Sequence, residues 1–312
     1  MKEKKTNIKK GEKIEKKKNN EDVTKKEETK SKAKVKLSKN RVIFLVVSLI
    51  IIIAIILGLT VFNSNWKDAS HDFKVVSNKL ERMNNELDSL IAKSEKIVKT
   101  KDKALEEEKR AILKGTISDA KEKREDVLRK PLLTKNIENA TSKMEEIDYT
   151  EIVKLLEEKY NDFDKSIKQY KLVDNPTEKY LLSRLKNVKG IFNITAYTEE
   201  TDVDKRLNKS KWYYSKIAFQ HKDVKNSAIE YGFSIEEIGN PAGGCVEAFK
   251  TVEDAQRRNN ELKSLEGTVR RPGSHKVIGT ILIRTSDDLS ATKQKELETA
   301  IIEALTYIEE DK

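Results

Sequence analysis

The sequence predicts an α+β protein on a membrane anchor: a single transmembrane helix, an extracellular helical or coiled-coil stalk, and a small C-terminal α+β domain with a mixed sheet. Three observations carry that expectation. Residues 42–62, VIFLVVSLIIIIAIILGLTVF, contain no charge. Residues 66–97 repeat apolar side chains every seven positions. Beyond residue 190 the apolar spacing changes from three- and four-residue steps to strand alternation. The implied parts are a tail (1–41), a span (42–62), a stalk (63–174) and a head (175–312).

The tail holds 17 Lys/Arg against 7 Asp/Glu, which accounts for the whole net charge of +10. It has no aromatic residue and few aliphatic ones, so it cannot bury enough surface to offset its ordering entropy and is expected to be disordered. Lys32, Lys34, Lys36, Lys39 and Arg41 lie next to the apolar run, where each gains about 1 kcal/mol beside anionic lipid. A nucleic-acid role is not expected, because no aromatic residue is interleaved to stack on bases.

The uncharged run makes a helix of roughly 31 Å, the thickness of a bilayer's hydrocarbon core. Its 17 Val, Ile, Leu and Phe residues at about −0.3 to −0.6 kcal/mol each favour insertion by roughly 5–10 kcal/mol. A buried core helix would rarely lack polar residues for so long. A cleaved secretory signal would have a shorter basic region and a shorter apolar core. The lysines before the run place the N-terminus in the cytoplasm and the following 250 residues outside. The lipid bilayer is therefore the first expected partner.

The stalk begins with Trp66, Phe73, Leu80 and Leu87 seven apart, and with Ala69, Val76, Met83 and Leu90 between them. Ile97 continues the series. Phe73, Val76, Leu80, Met83, Leu87 and Leu90 form the seam of an expected coiled coil, through which the chain would self-associate. An amphipathic helix folded against its own neighbours fits the same spacing. Gly115 and Pro131 read as breaks. Ile137, Ala140, Met144 and Ile147 mark one further amphipathic helix, and Ile152, Leu156, Tyr160, Phe163, Ile167 and Tyr170 another.

In the head, Asn175-Pro176-Thr177-Glu178 reads as a helix start with Asn175 as cap. Strands are expected at 191–198, 212–220 and 245–250, with a turn at Asn240–Gly244. Val277–Arg284 (VIGTILIR) is apolar on both faces and reads as one central strand. Helices are expected from Thr251 to about Leu265 and from Ser290 onward, all on one face of the sheet.

Residues 185–306 carry VKGIFNITAYTEETD, then LNK, NPAGGCVEAFKTVEDAQRRNNEL, GSHKVIGTILIRTS and LSATKQKELETAI. These resemble a C-terminal domain of Gram-positive surface proteins labelled extracellular-matrix-binding-homologue-like. The resemblance implies a surface location and no particular activity. Where that family tends to read Asn-Asp-Pro-Asn-Gly and Gly-Gly-Tyr, this chain has Thr201–Arg206 and Lys211–Tyr213.

Few residues suggest chemistry. Glu200, Asp202 and Asp204 alternate like the opening of a calcium loop, but Lys205 and Arg206 follow where a glycine and further ligands would help. Cys245 with His221 or His275 could in principle make a nucleophile and base, yet no protease signature surrounds it. One cysteine excludes an intrachain disulfide framework. The glycines at 239–244 precede a strand, not the helix N-terminus that phosphate binding uses. Trp212, Tyr213 and Tyr214 could anchor a protein interface. The expectation is a surface-displayed binding module without catalysis or cofactor, facing an envelope or extracellular protein. The alternative is a structural subunit of an envelope machine for division, secretion or conjugation, assembled through its coiled coil.

Overall fold

The computed structural model describes residues 39–225, 228, 231–268 and 272–309. Of the tail 1–41 expected to be disordered, residues 1–38 lie outside the described residues, and Lys39–Arg41 instead open the first helix because the apolar run carries the helix back into them. The chain divides into a first unit, Met1–Asn63, and a second, Ser64–Lys312. Helix α1 (Lys39–Val98) contributes to both.

In the first unit every large apolar side chain from Ile43 to Phe62 is exposed. The two hydroxyls of the run bond back along the helix, Ser48 Oγ to Leu45 O at 3.0 Å and Thr60 Oγ1 to Leu57 O at 2.8 Å. No polar side chain of this run is left needing water. Among the described residues, α1 is the one helix long and apolar enough to cross a membrane.

In the second unit the remainder of α1 packs with α2 (Glu108–Lys123), α3 (Thr134–Glu145) and α4 (Thr150–Val173) around one apolar core. Side-chain contacts give the directions. Arg124 meets Asp88 at 2.9 Å, Asn84 Nδ2 donates to Glu125 O at 2.9 Å, and Trp66 Nε1 donates to Leu132 O at 3.1 Å. Residues 108–132 therefore run back down α1. Ser77 meets Met144 and Lys93 lies over the Tyr160 ring, so α3 and α4 climb again.

The region expected to be a stalk is thus a bundle closed within one chain, and most of the expected seam is already covered. Phe73, Val76, Leu80 and Leu87 are buried against α2–α4, while Met83 and Leu90 are only partly covered. The buried stripe instead continues through Asn84, Ile91, Ser94 and Val98. A straight helix drifts away from a seven-residue repeat, and without supercoiling the covered face moves one position round. Asn84 is tolerated because it donates to Glu125 O and accepts from the Tyr149 hydroxyl at 2.9 Å.

Gly115 does not break a helix; it lies inside α2 with open space around its Cα. The break falls earlier, at residues 99–107, where Arg110 donates to the carbonyls of Val98 (2.8 Å), Thr100 (3.0 Å) and Asp102 (2.5 Å). Its guanidinium also covers the Phe163 ring at 4.8 Å. One arginine therefore closes the end of α1 and ties it to α2 and α4.

The head contains α5 (Glu178–Leu185), strands β1 (Ile191–Ala196), β2 (Ser215–His221) and β3 (Gly243–Ala248), α6 (Val252–Lys263), β4 (His275–Ile278), β5 (Ile281–Thr285) and α7 (Ala291–Thr306). The α5 cap is Thr177, which accepts from Tyr180 N at 3.2 Å, and not Asn175. Asn175 takes a left-handed φ of 53° in the turn between α4 and α5.

The sheet is antiparallel throughout, in the order β1-β2-β3-β5-β4, which corrects the expected mixed sheet. The cause is in VIGTILIR, which is a hairpin and not one strand. Gly279 (φ 53°) and Thr280 make the two-residue turn, with glycine first as a type II′ turn prefers. The chain returning from α6 takes the edge as β4, and the hairpin folds β5 back between β4 and β3.

Helices also cover both faces rather than one. Ile217, Phe219, Val246, Ala248, Ile281 and Ile283 face α5 and α7, while Ala218, Cys245 and Leu282 face α6. The boundary expected at residue 174 is bridged. Val173 belongs to the head core, and its carbonyl accepts from Thr280 N at 3.0 Å. The head therefore sits at the α4 end of the bundle, opposite Trp66.

Candidate functional site

The α6 side of the sheet carries most of the head's buried charge. Alternation brings Lys216 of β2, Glu247 of β3 and Arg284 of β5 onto one face, with Lys216 directly opposite Glu247. Thr251 caps α6 by accepting from Asp254 N at 3.1 Å, and the helix then lowers Arg258 onto that row. Glu247 Oε2 takes Arg258 Nε at 3.2 Å and its Oε1 takes Arg284 at 3.1 Å. Glu261 pairs with Arg258 at 3.1 Å and with Arg206 at 3.0 Å.

The loop from residue 197 to 214 adds a second network. Asp202 is fully buried and accepts from Arg206 N (2.8 Å), Leu207 N (2.9 Å), Tyr213 OH (3.0 Å) and Lys216 Nζ (3.0 Å). Asp204 reaches the same ammonium at 3.0 Å. Burial pushes the Asp202 carboxyl up, but the hydrogen bonds from Leu207, Lys216 and Arg206 outweigh it and hold the group below its ordinary range. Burial likewise works against the Lys216 ammonium, and the surrounding acidic groups, Asp204, Glu247 and Asp202 among them, reverse it.

This geometry decides where the sequence candidates stand. Asp202 and Asp204 do converge on a cation, but that cation is Lys216. Glu200 turns away and is held by Thr198. Among the described residues, no group of three or more His, Cys, Asp or Glu is placed to hold a metal ion. Cys245 is buried, with Asn240 Oδ1 at 4.0 Å, and burial pushes its thiol up. His275 binds Asn259 Oδ1 at 2.7 Å, and His221 Nδ1 accepts from Asp223 N at 3.2 Å. No hydrogen bond joins either histidine to the cysteine.

The aromatic trio is split three ways. Tyr213 is in the core, edge-on to Phe249. Tyr214 points to the opposite face and donates to Pro176 O at 2.7 Å. Trp212 is partly buried, with Arg206 at 3.9 Å and Arg257 at 4.6 Å from its ring centre.

What sequence reading missed is beside Trp212. A cavity of about 600 Å³ is lined by Lys209, Lys211, Trp212, Tyr214, Lys250 and the first turn of α6. Lys209, Lys211 and Lys250 are exposed and none has a carboxylate within ion-pair distance among the described residues. Asp254, the acidic residue of the lining, is engaged by Thr251 Oγ1 at 2.9 Å and Arg257 at 3.7 Å. The cavity is therefore strongly positive. Lys205, Asn208 and Lys211 all adopt left-handed φ values of 54–65°, a conformation costly for non-glycine residues. These left-handed residues turn the loop around the cavity, and only Asn208 signals such a turn by residue type. A groove of about 690 Å³ between α4 and α7 is larger, but its lining mixes Lys165 and Lys168 with Asp164 and Glu303.

Comparison of the chain with protein-family models, with curated proteins and with solved structures finds no match.

Proposed function

We propose that the protein is a single-pass membrane protein that holds its head outside the cell as a binding module for anionic ligands. The exposed apolar run of α1 and the 17-to-7 excess of basic residues before it support that topology. The likeness of residues 185–306 to surface-protein domains supports display at the cell surface. One observation carries the binding reading: three lysines that have no carboxylate partner among the described residues meet at one cavity. Such a site concentrates positive potential and captures anions by charge rather than shape. The buried networks beneath it act as a frame, since every charge in them is already paired. An envelope-assembly role would need a surface other than the Phe73–Leu87 stripe, which is covered inside the chain.

The test is titration of the full chain in lipid nanodiscs with fluorescent polyphosphate, with polyglutamate and neutral dextran in parallel. Binding of an anion, weakened about tenfold by the combined Lys209→Ala, Lys211→Ala and Lys250→Ala changes (~1.4 kcal/mol), supports the reading. Dextran binding as well as the anions do, or a triple variant that binds unchanged, ends it.

A further inference from the structure

At the end of the bundle away from the head, two adjacent leucines stand clear of the protein. Leu132 is 87% exposed and Leu133 is 62% exposed, in the loop between α2 and α3. They follow Arg129, Lys130 and Pro131. The loop is held in place rather than loose: Trp66 Nε1 donates to Leu132 O at 3.1 Å, and the Lys130 ammonium covers the Trp66 ring at 4.6 Å. An anchored backbone that presents two large apolar side chains to water is unfavourable relative to covering them. The neighbours identify what would cover them. Trp66 follows Phe62, the last residue of the apolar run, by four positions in the same helix. Trp beside Lys and Arg, flanked by apolar side chains, is the composition of a membrane–water interface.

We propose that Leu132 and Leu133 dock into the lipid interface, with Trp66 at headgroup level and Arg129 and Lys130 on lipid phosphates. The inference rests on the membrane-anchor reading above. Two leucines and two cations are a weak contact alone, and the short stretch of chain between Phe62 and Trp66 raises their effective concentration at a lipid surface.

The experiment uses the full chain with Cys245 replaced by Ala, reconstituted in phosphatidylcholine vesicles with and without phosphatidylglycerol. A polarity-sensitive dye is placed in turn at Leu133→Cys, Val61→Cys and Lys209→Cys, and quenched by brominated lipid. The Leu133 position should emit to the blue and be quenched about twofold or more over the Lys209 position, as a side chain 5–10 Å into the boundary requires. Quenching at Val61 with none at Leu133 overturns the docking and leaves the anchor standing. No quenching at Val61 overturns the anchor, and the docking with it. Quenching at Leu133 that persists without phosphatidylglycerol also supports the docking, since phosphatidylcholine presents phosphates at the same interface.

Discussion

Leu80, Leu87, Leu113 and Phe163 in the bundle and Asp202, Lys216 and Glu247 in the head are all buried, yet the two sets exclude water on different terms. The bundle core gains from each apolar group separately, so a missing methyl costs its own share. The charged face of the head costs a great deal to desolvate and holds only while every partner is present. The first kind of core degrades gradually. The second fails when one member is removed.

That contrast can be broken most directly at Glu247. Glu247→Ala leaves Arg284 with no carboxylate and Arg258 with Glu261 alone, and should cost about 4 kcal/mol. Guanidinium unfolding of the full chain in detergent measures it, and a loss below about 1 kcal/mol would mean that the face is wetter than its burial implies. Replacing Glu247, Arg258 and Arg284 together by Leu or Met should recover most of the loss, since no charge is then stranded.

The bundle side of the contrast is sharpened at neighbouring positions. Ile91→Ala should cost about 3 kcal/mol and Leu90→Ala about 1 kcal/mol, because Ile91 is buried and Leu90 only partly so. A supercoiled dimer through the seven-residue seam would reverse the order. The same unfolding assay decides between them.

The smallest effect is the response to acid. A carboxyl held low in the folded state contributes stability at neutral pH that is lost as pH falls through the ordinary carboxylate range toward its folded value. Asp202 is such a group. His221 and His275 act in the same direction, because burial depresses both and the unfolded chain binds their protons first, below about pH 6.5. Stability should therefore fall steadily from pH 6.5 to 3. Asp202→Asn should flatten the slope below pH 5 and leave it unchanged above, as read from unfolding at a series of pH values.

Much of the fold was legible because it follows from period. Residues 42–62 read as apolar all round, and the large apolar side chains of α1 from Ile43 to Phe62 are exposed. Ile137–Ile147 and Ile152–Tyr170 read as amphipathic helices, and α3 and α4 bury most of those side chains, with Ile147 past the end of α3 and Tyr160 partly covered. The misreadings came from positions where local type and tertiary demand diverge. Gly115 weakens a helix locally, but the packing of Leu113 and Ile117 on α4 carries α2 through it. VIGTILIR is apolar throughout, so hydropathy could not show that Gly279 folds it in two. Gly243 and Gly244 read as a turn, yet they open β3. A Cβ at Gly244 would meet the Phe219 ring and the Arg284 carbonyl.

Of the site, the residue types were visible and their partners were not. Asp202 and Asp204 looked like ligands awaiting a cation, and Lys216, more than ten residues on, turned out to be that cation. The basic cavity was invisible because Lys209, Lys211 and Lys250 come from two loops joined only by the pairing of β2 with β3.

The linear chain alone determined where the uncharged apolar run lies and that Ile137–Met144 and Ile152–Tyr170 form helices with one apolar face. Those properties depend on spacing along the backbone, and spacing is written in the residues. Only the tertiary structure decided that the heptad stripe packs on its own chain, that the sheet is antiparallel with helices on both faces, and that the acidic loop closes on a lysine. Each of these depends on which distant segments meet, and the free energy of a contact belongs to both partners at once.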